Sequence, residues 1–181
     1  MIIKSPNEKK EEVSFIRIGL IQEIRKKKVK LSSWIFLFFL TLIACNSNTV
    51  FDQHKSFEHQ SWNADSTIVF NYLVEDTISQ NQLIIKLRHT VEYEFQNLFL
   101  FIKSEKMDTI EIQLANKEGR WLGKGVGDIR TVDFVYKNKK VFSKKGDLII
   151  EIEQAMRYGN FEKIQQLKHI ESIGFRVEKN D

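Results

Sequence analysis

Six stretches of this chain alternate apolar and polar residues with a period of two, a seventh is apolar throughout, and that pattern limits the fold more than any other feature. Ile68, Phe70 and Tyr72 alternate with small or polar partners, as do Leu83, Ile85 and Leu87, and then Ile110, Ile112 and Leu114. Successive side chains of a strand point to opposite faces, so such runs make half-buried strands and leave no continuous apolar stripe for a helix. Leu98-Phe99-Leu100-Phe101-Ile102 is apolar throughout and predicts a central strand covered on both faces, although its length alone leaves a buried helical turn open. Val132 to Tyr136, Leu148 to Ile152 and Ile173 to Val177 complete the set, separated by polar turns such as Lys144-Lys145-Gly146-Asp147. The pattern predicts an all-β fold, an antiparallel β-sandwich of immunoglobulin-like or jelly-roll type. Helical spacing is confined to Phe161, Ile164 and Leu167, so Phe161 to Ile170 is read as at most one short helix or a structured loop. No internal repeat is visible.

A core of this size needs apolar residues, and 42% of the 181 residues are hydrophobic, with fourteen phenylalanines and a single proline. That composition excludes bulk disorder and proline-rich linkers. The net charge of +4 invites a nucleic-acid reading until the chain is divided at Cys45. Residues 1–44 carry nine Lys and Arg against four Asp and Glu, whereas residues 45–181 carry nineteen against twenty. With no excess of positive charge, the downstream part has little counterion-release drive toward phosphate backbones, so no nucleic-acid partner is expected.

The basic part ends in a recognisable address. Arg25, Lys26, Lys27, Lys28 and Lys30 precede an uncharged apolar run from Trp34 to Ala44, a secretory signal pattern. As a helix the run would span about 16 Å, well short of the ~30 Å of a bilayer's hydrocarbon. Leu42-Ile43-Ala44-Cys45 then resembles the lipobox of bacterial lipoproteins. The thiol can take a diacylglyceryl group as a thioether, Ala44 leaves room for the signal peptidase that Leu42 and Ile43 help to engage, and cleavage frees the Cys45 amine for an N-acyl chain. At ~0.8 kcal/mol per buried methylene one chain anchors marginally and several anchor durably. Cys45 is the only cysteine, so an intramolecular disulfide is impossible. The residue after it is Asn46, which is not the aspartate that retains lipoproteins at the inner membrane, and no acidic cluster follows to direct surface export. The expected location is therefore the periplasmic face of the outer membrane. Thirty-three residues before Trp34 are unusual for a signal peptide, and the simpler expectation is that translation starts near Ile24 or Val29, leaving the first residues as a start-site misassignment. The expected organisation is residues 1–44 as leader and signal peptide, 45–60 as lipidated tether, and 61–181 as the sandwich.

Chemistry-bearing patterns are few. Gly123-Lys124-Gly125-Val126-Gly127-Asp128 has neither the G-x-G-x-x-G of a dinucleotide loop nor the G-K-[ST] ending of a P-loop, and it precedes a strand instead of a helix. Tight turns or a bulge needing positive φ are the expected reading. Trp62 and Trp121 offer indoles that could stack on a sugar, with core or turn packing as the alternative. The histidines at 54, 59, 89 and 169 show no metal-ligand spacing, so no metal site is expected. Glu92 with Glu94, and Glu151 with Glu153, would place paired carboxylates on one strand face, where solvation explains them as readily as acid–base catalysis. No nucleophile elbow is present, and an enzyme is not expected.

Taken in order, several runs resemble the GldH family of gliding motility lipoproteins of the Bacteroidetes. They are Cys45 to Asp52, Ser61-Trp62, Asn97 to Leu100, Gly119 to Gly125 with Asp128-Ile129, Gln154-Ala155-Met156-Arg157, and Ile173 to Val177. The resemblance implies a non-enzymatic envelope lipoprotein required for gliding and linked to type IX secretion, with the lipid on Cys45 as its only covalent group and no other cofactor. It implies partners among other envelope proteins of gliding and secretion, and only the lipid role of Cys45 carries over residue by residue. Our own expectation is contact through a sheet face or edge that uses the Gly119 to Asp128 segment, with Trp62, Trp121 and Asp128 as candidate partner or ligand contacts. A carbohydrate-binding sandwich is the alternative, and the oligomeric state is left open.

Overall fold

The computed structural model describes residues 48–160 and 162–180. Leu42, Ile43, Ala44 and Cys45, with the whole leader, lie outside the described residues. Ten strands occur within them: β1 (Thr49–Ser56), β2 (Ser61–Asn63), β3 (Ile68–Val74), β4 (Asn81–Thr90), β5 (Asn97–Lys103), β6 (Met107–Gln113), β7 (Ile129–Lys140), β8 (Gly146–Gln154), β9 (Gln166–Lys168) and β10 (Ile170–Lys179), with one 3-10 turn at Glu58–Gln60.

The strand pairs are nested. β5 pairs with β6, β4 with β7, β3 with β8, β2 with β9 and β1 with β10, all antiparallel. The chain is thus one long hairpin, with its tip at residues 104–106, rolled so that β10 also pairs with β4 and β8 also pairs with β5. Rolling gives two four-stranded sheets in the orders β1-β10-β4-β7 and β3-β8-β5-β6, with β2 and β9 as a separate small ribbon. This is the jelly-roll member of the two expected sandwich types.

Period-two patterning explains why the sheets face one another. Leu98, Leu100 and Ile102 of β5, Ile150 and Ile152 of β8, Leu83, Ile85 and Leu87 of β4, and Ile173, Phe175 and Val177 of β10 fill the space between them. Phe175 is sealed off from water between Phe51 and Phe70, with ring centroids 6.0 and 6.1 Å away. Burying each such side chain stabilises the fold by about 1.5–3 kcal/mol. The apolar run of β5 is covered differently from the expectation: its burial alternates, and Phe99 and Phe101 stand half-buried on the outer face.

Two further differences have local causes. The segment expected to be a tether carries β1, so the chain joins the sandwich at Thr49 and not at Ser61. An edge strand needs little apolar content: β1 is held by its pairing with β10, by Asp52 on Arg176, and by Phe51, which packs on Tyr72 and Phe175. The described residues of Phe161 to Ile170 form no helix; they hold β9 and the first residue of β10. Leu167 reaches the core opposite Trp62, and the Ile164 amide donates to the Met156 carbonyl at 2.9 Å, so the apolar spacing serves a wrapped loop.

The nesting sorts every connection to one of two poles. Residues 75–80, 104–106 and 141–145 lie at the pole where the chain enters, since Asn48 accepts from the Lys179 amide and the Asn180 amide donates to Gln80, both at 2.9 Å. Residues 57–67, 91–96, 114–128 and 155–169 lie at the opposite pole. Ten residues of β4 separate the two, about 30 Å at the usual rise of a strand.

Candidate functional site

Four of the six runs picked out in the sequence meet at the pole distant from Asn48. Residues 119–129 supply its centre. A turn from Asn116 to Arg120 is closed by the Gly119 amide on the Asn116 carbonyl and the Asn116 amide on the Arg120 carbonyl, both at 2.9 Å. Gly119 has φ +78°, a conformation that costs a side chain dearly. The chain then docks back, the Leu122 amide donating to Leu114 at 2.8 Å.

A second hairpin follows, in which Lys124 and Thr131 exchange backbone hydrogen bonds of 2.9 and 2.7 Å. Its glycines have separate reasons. Gly127 supplies the positive φ of the turn, at +64°. Gly125 supplies room instead, because a Cβ there would stand 1.9 Å from the Ile129 carbonyl oxygen. Arg130 clamps the turn from its side, donating from Nη1 to the carbonyls of Gly127 and Ile129 at 2.6 and 2.9 Å. Val126 is thereby held at the tip, 95% exposed. The Asp128 carbonyl accepts from the Val91 amide at 2.8 Å, tying the hairpin to the loop after β4, while its side chain faces solvent.

Beneath the hairpin runs a chain of rings. Trp121 lies 4.7 Å from His89, His89 lies 5.7 Å from Tyr93, Tyr93 meets Phe95 at 5.6 Å, and Phe95 meets the exposed Tyr158 at 6.1 Å. His89 is sealed from water, with Nδ1 2.8 Å from the Thr90 carbonyl. A carbonyl only accepts, so Nδ1 carries the proton and Nε2 is left as a buried acceptor with no partner among the described residues. Burial pushes the His89 pKa below its ordinary value, opposed by the hydrogen bond to Thr90 and aided by the Arg130 charge. The Tyr93 hydroxyl donates to the Asn97 carbonyl at 3.2 Å, and burial raises its pKa far above the usual tyrosine range.

The run Gln154 to Arg157 closes the other side. The Gln154 side chain accepts from the Met156 amide and donates to the Ile164 carbonyl, at 2.9 and 2.7 Å, and Met156 Sδ receives the Phe99 amide at 3.3 Å. These contacts turn Arg157 outward, into a cleft it shares with Asp65, Glu153 and Lys163. Asp65 is paired with Lys163 and accepts from Gln165, and the Lys163 contact first of all holds its carboxyl below the usual range.

The named candidates fare unequally. Trp62 lies wholly in the core, stacked on Phe57 at 4.8 Å with its indole N–H donating to the Ser66 carbonyl at 3.2 Å, and presents no face to a ligand. Trp121 is half-buried against His89. The two indoles therefore make no stacking platform. Glu92 and Glu94 lie in a loop and not on a strand, Glu92 approaching His169 at 3.4 Å. Glu151 and Glu153 do share the outer face of β8, where they bind Lys103 at 2.9 Å and the Thr67 hydroxyl at 2.6 Å. Among the described residues no three His, Cys, Asp or Glu side chains are placed to hold a metal. Sequence reasoning passed over Val126, Arg157 and Tyr158, three exposed side chains of the pole. Their signal was position: each sits within or beside a run already singled out.

A jelly roll with a braced loop platform at one pole and the start of β1 at the other defines a class of small two-sheet β-sandwich. The family model described as GldH lipoprotein matches residues 49–177, so the chain belongs to the GldH lipoprotein family. It is 34% identical over 161 residues to the gliding motility lipoprotein GldH of Flavobacterium johnsoniae, covering 85% of this chain and 99% of that one. It is also 34% identical over 157 residues to a gliding motility lipoprotein GldH homolog of Christiangramia forsetii, covering 81% of this chain and 96% of the relative. Both relatives are named as gliding motility lipoproteins.

Proposed function

We propose that this protein is a non-enzymatic assembly component of the cell envelope, required for gliding and linked to type IX secretion. Cleavage before Cys45 leaves a chain held by diacylglyceryl and N-acyl lipid at the periplasmic face of the outer membrane. Its distal pole, with Trp121 and Asp128 in the braced segment and Val126, Arg157 and Tyr158 exposed, receives another envelope protein. One observation carries this reading: four of the six runs that resemble the family lie at the pole farthest from Asn48. A platform held by backbone hydrogen bonds and buried rings loses little conformational freedom when a partner docks, which favours recognition.

The test of the anchor is intact mass of the membrane-extracted protein beside a Cys45→Ser variant. A species beginning at acylated Cys45, absent from the variant, is expected, together with survival of the protein when whole cells are treated with protease. A full-length chain without lipid would overturn the reading.

A further inference from the structure

The pole at which the chain enters has a character of its own. Ile78 is 88% exposed at the tip of the β3–β4 turn, Met107 is 72% exposed just past the tip of the long hairpin, and Val141 is 44% exposed after β7. Around them stand Lys106, Lys139, Lys144 and Lys145, all exposed and none in an ion pair among the described residues, against two unpaired carboxylates, Glu75 and Asp147. The other charges of this pole neutralise one another: Lys137 with Asp108, Lys140 with Glu105, and Lys179 with Asp76. Apolar tips surrounded by uncommitted ammonium groups are the surface that a bilayer with anionic headgroups accepts, the tips entering the interface and the lysines reaching phosphate.

Chain length selects the lipid surface as occupant. Only residues 46 and 47 lie between Cys45 and Asn48, and a fully extended chain advances at most about 3.6 Å per residue, so the Asn48 end stands within about 11 Å of the lipidated cysteine. A sandwich so tethered cannot hold this pole far from the headgroups. We infer that the pole carrying Ile78, Met107 and Val141 seats directly on the membrane, using its free lysines, and so fixes the sandwich upright with the Val126 hairpin pointing away from the bilayer. The inference rests on lipidation of Cys45 and adds an orientation to it.

The test uses the mature acylated protein in vesicles of phosphatidylethanolamine and phosphatidylglycerol. Thioether formation blocks the Cys45 thiol, so a fluorophore can be placed on Ile78→Cys, Met107→Cys or Val126→Cys as the one reactive thiol. Brominated lipids should quench the labels at positions 78 and 107 and spare the label at 126. Quenching should weaken when Lys106, Lys139, Lys144 and Lys145 are all changed to Glu, or when salt is raised. Acylated protein whose labels at 78 and 107 stay as unquenched as that at 126 overturns the seating alone. An intact mass lacking lipid overturns the anchor reading beneath it.

Discussion

At the proximal pole, where the chain enters, the β3–β4 turn is held by one exposed carboxylate, whereas at the distal pole the Lys124–Thr131 hairpin is held by backbone bonds, by the Arg130 clamp and by packed rings. Asp76 closes the β3–β4 turn by accepting from the amides of Ile78 and Ser79, at 2.9 and 3.0 Å, and from Lys179 Nζ at 2.6 Å. The distal hairpin closes through Lys124 and Thr131 and docks through Val91 and Asp128, with the ring chain from Trp121 to Tyr158 below it. Exposed ion pairs are worth little and yield to salt, while buried rings and backbone ladders do not. The difference teaches which end owes more to exposed charge: the distal hairpin rests on backbone bonds and packed rings, and the β3–β4 turn on a carboxylate paired with Lys179.

Breaking the comparison at its firmest point should have the largest effect. Trp62→Ala removes a fully buried ring stacked on Phe57 and should cost about 3–5 kcal/mol, read as a lower urea midpoint. Gly125→Ala comes next. The new methyl must push the Ile129 carbonyl aside, at about 1–3 kcal/mol, and the change should lower gliding more than its stability loss in urea would explain.

The third effect sharpens the contrast through pH. His89 has a folded pKa below the unfolded value of about 6.5, so below that value the unfolded chain binds a proton that the folded one resists. Its contribution is intact above about pH 6.5 and is lost as pH falls through the folded pKa. Thermal melts should fall across that window, and His89→Gln should flatten the decline. The smallest effect belongs to the proximal pole. Lys179 first, and then the Ser79 and Ile78 amides, hold the Asp76 carboxyl well below the usual range. Its contribution is therefore present above about pH 3.9 and is lost as pH falls lower. Asp76→Asn should shift the melt slightly at low salt and not at all at high salt.

Much of this was legible from the residues, and the exceptions have physical reasons. Strands with one wet and one dry face announce themselves, so β3, β4, β6, β7, β8 and β10 follow from alternation alone. β1, β2 and β9 were hidden because they are short or marginal and borrow their order from neighbours: β2 and β9 have three residues each, held by the contact of Trp62 with Leu167. Phe99 and Phe101 misled in the other direction, since an apolar residue on an outer face reads like a buried one. At the site, the glycine cluster was legible as turns, and the structure divides its reasons between positive φ at Gly127 and close approach at Gly125. His89 carried no signal, because only the rolling of the sheets places it under Trp121.

The most direct measurement is site-specific photo-crosslinking in gliding cells, with a photoreactive residue at Val126 or Leu122 on the distal pole and, in parallel, at Ile78 or Met107 on the proximal one. Discrete protein adducts from the distal positions, with lipid adducts from the proximal ones, are predicted. Protein adducts confined to positions 78 and 107, with none from 122 or 126, would contradict the account.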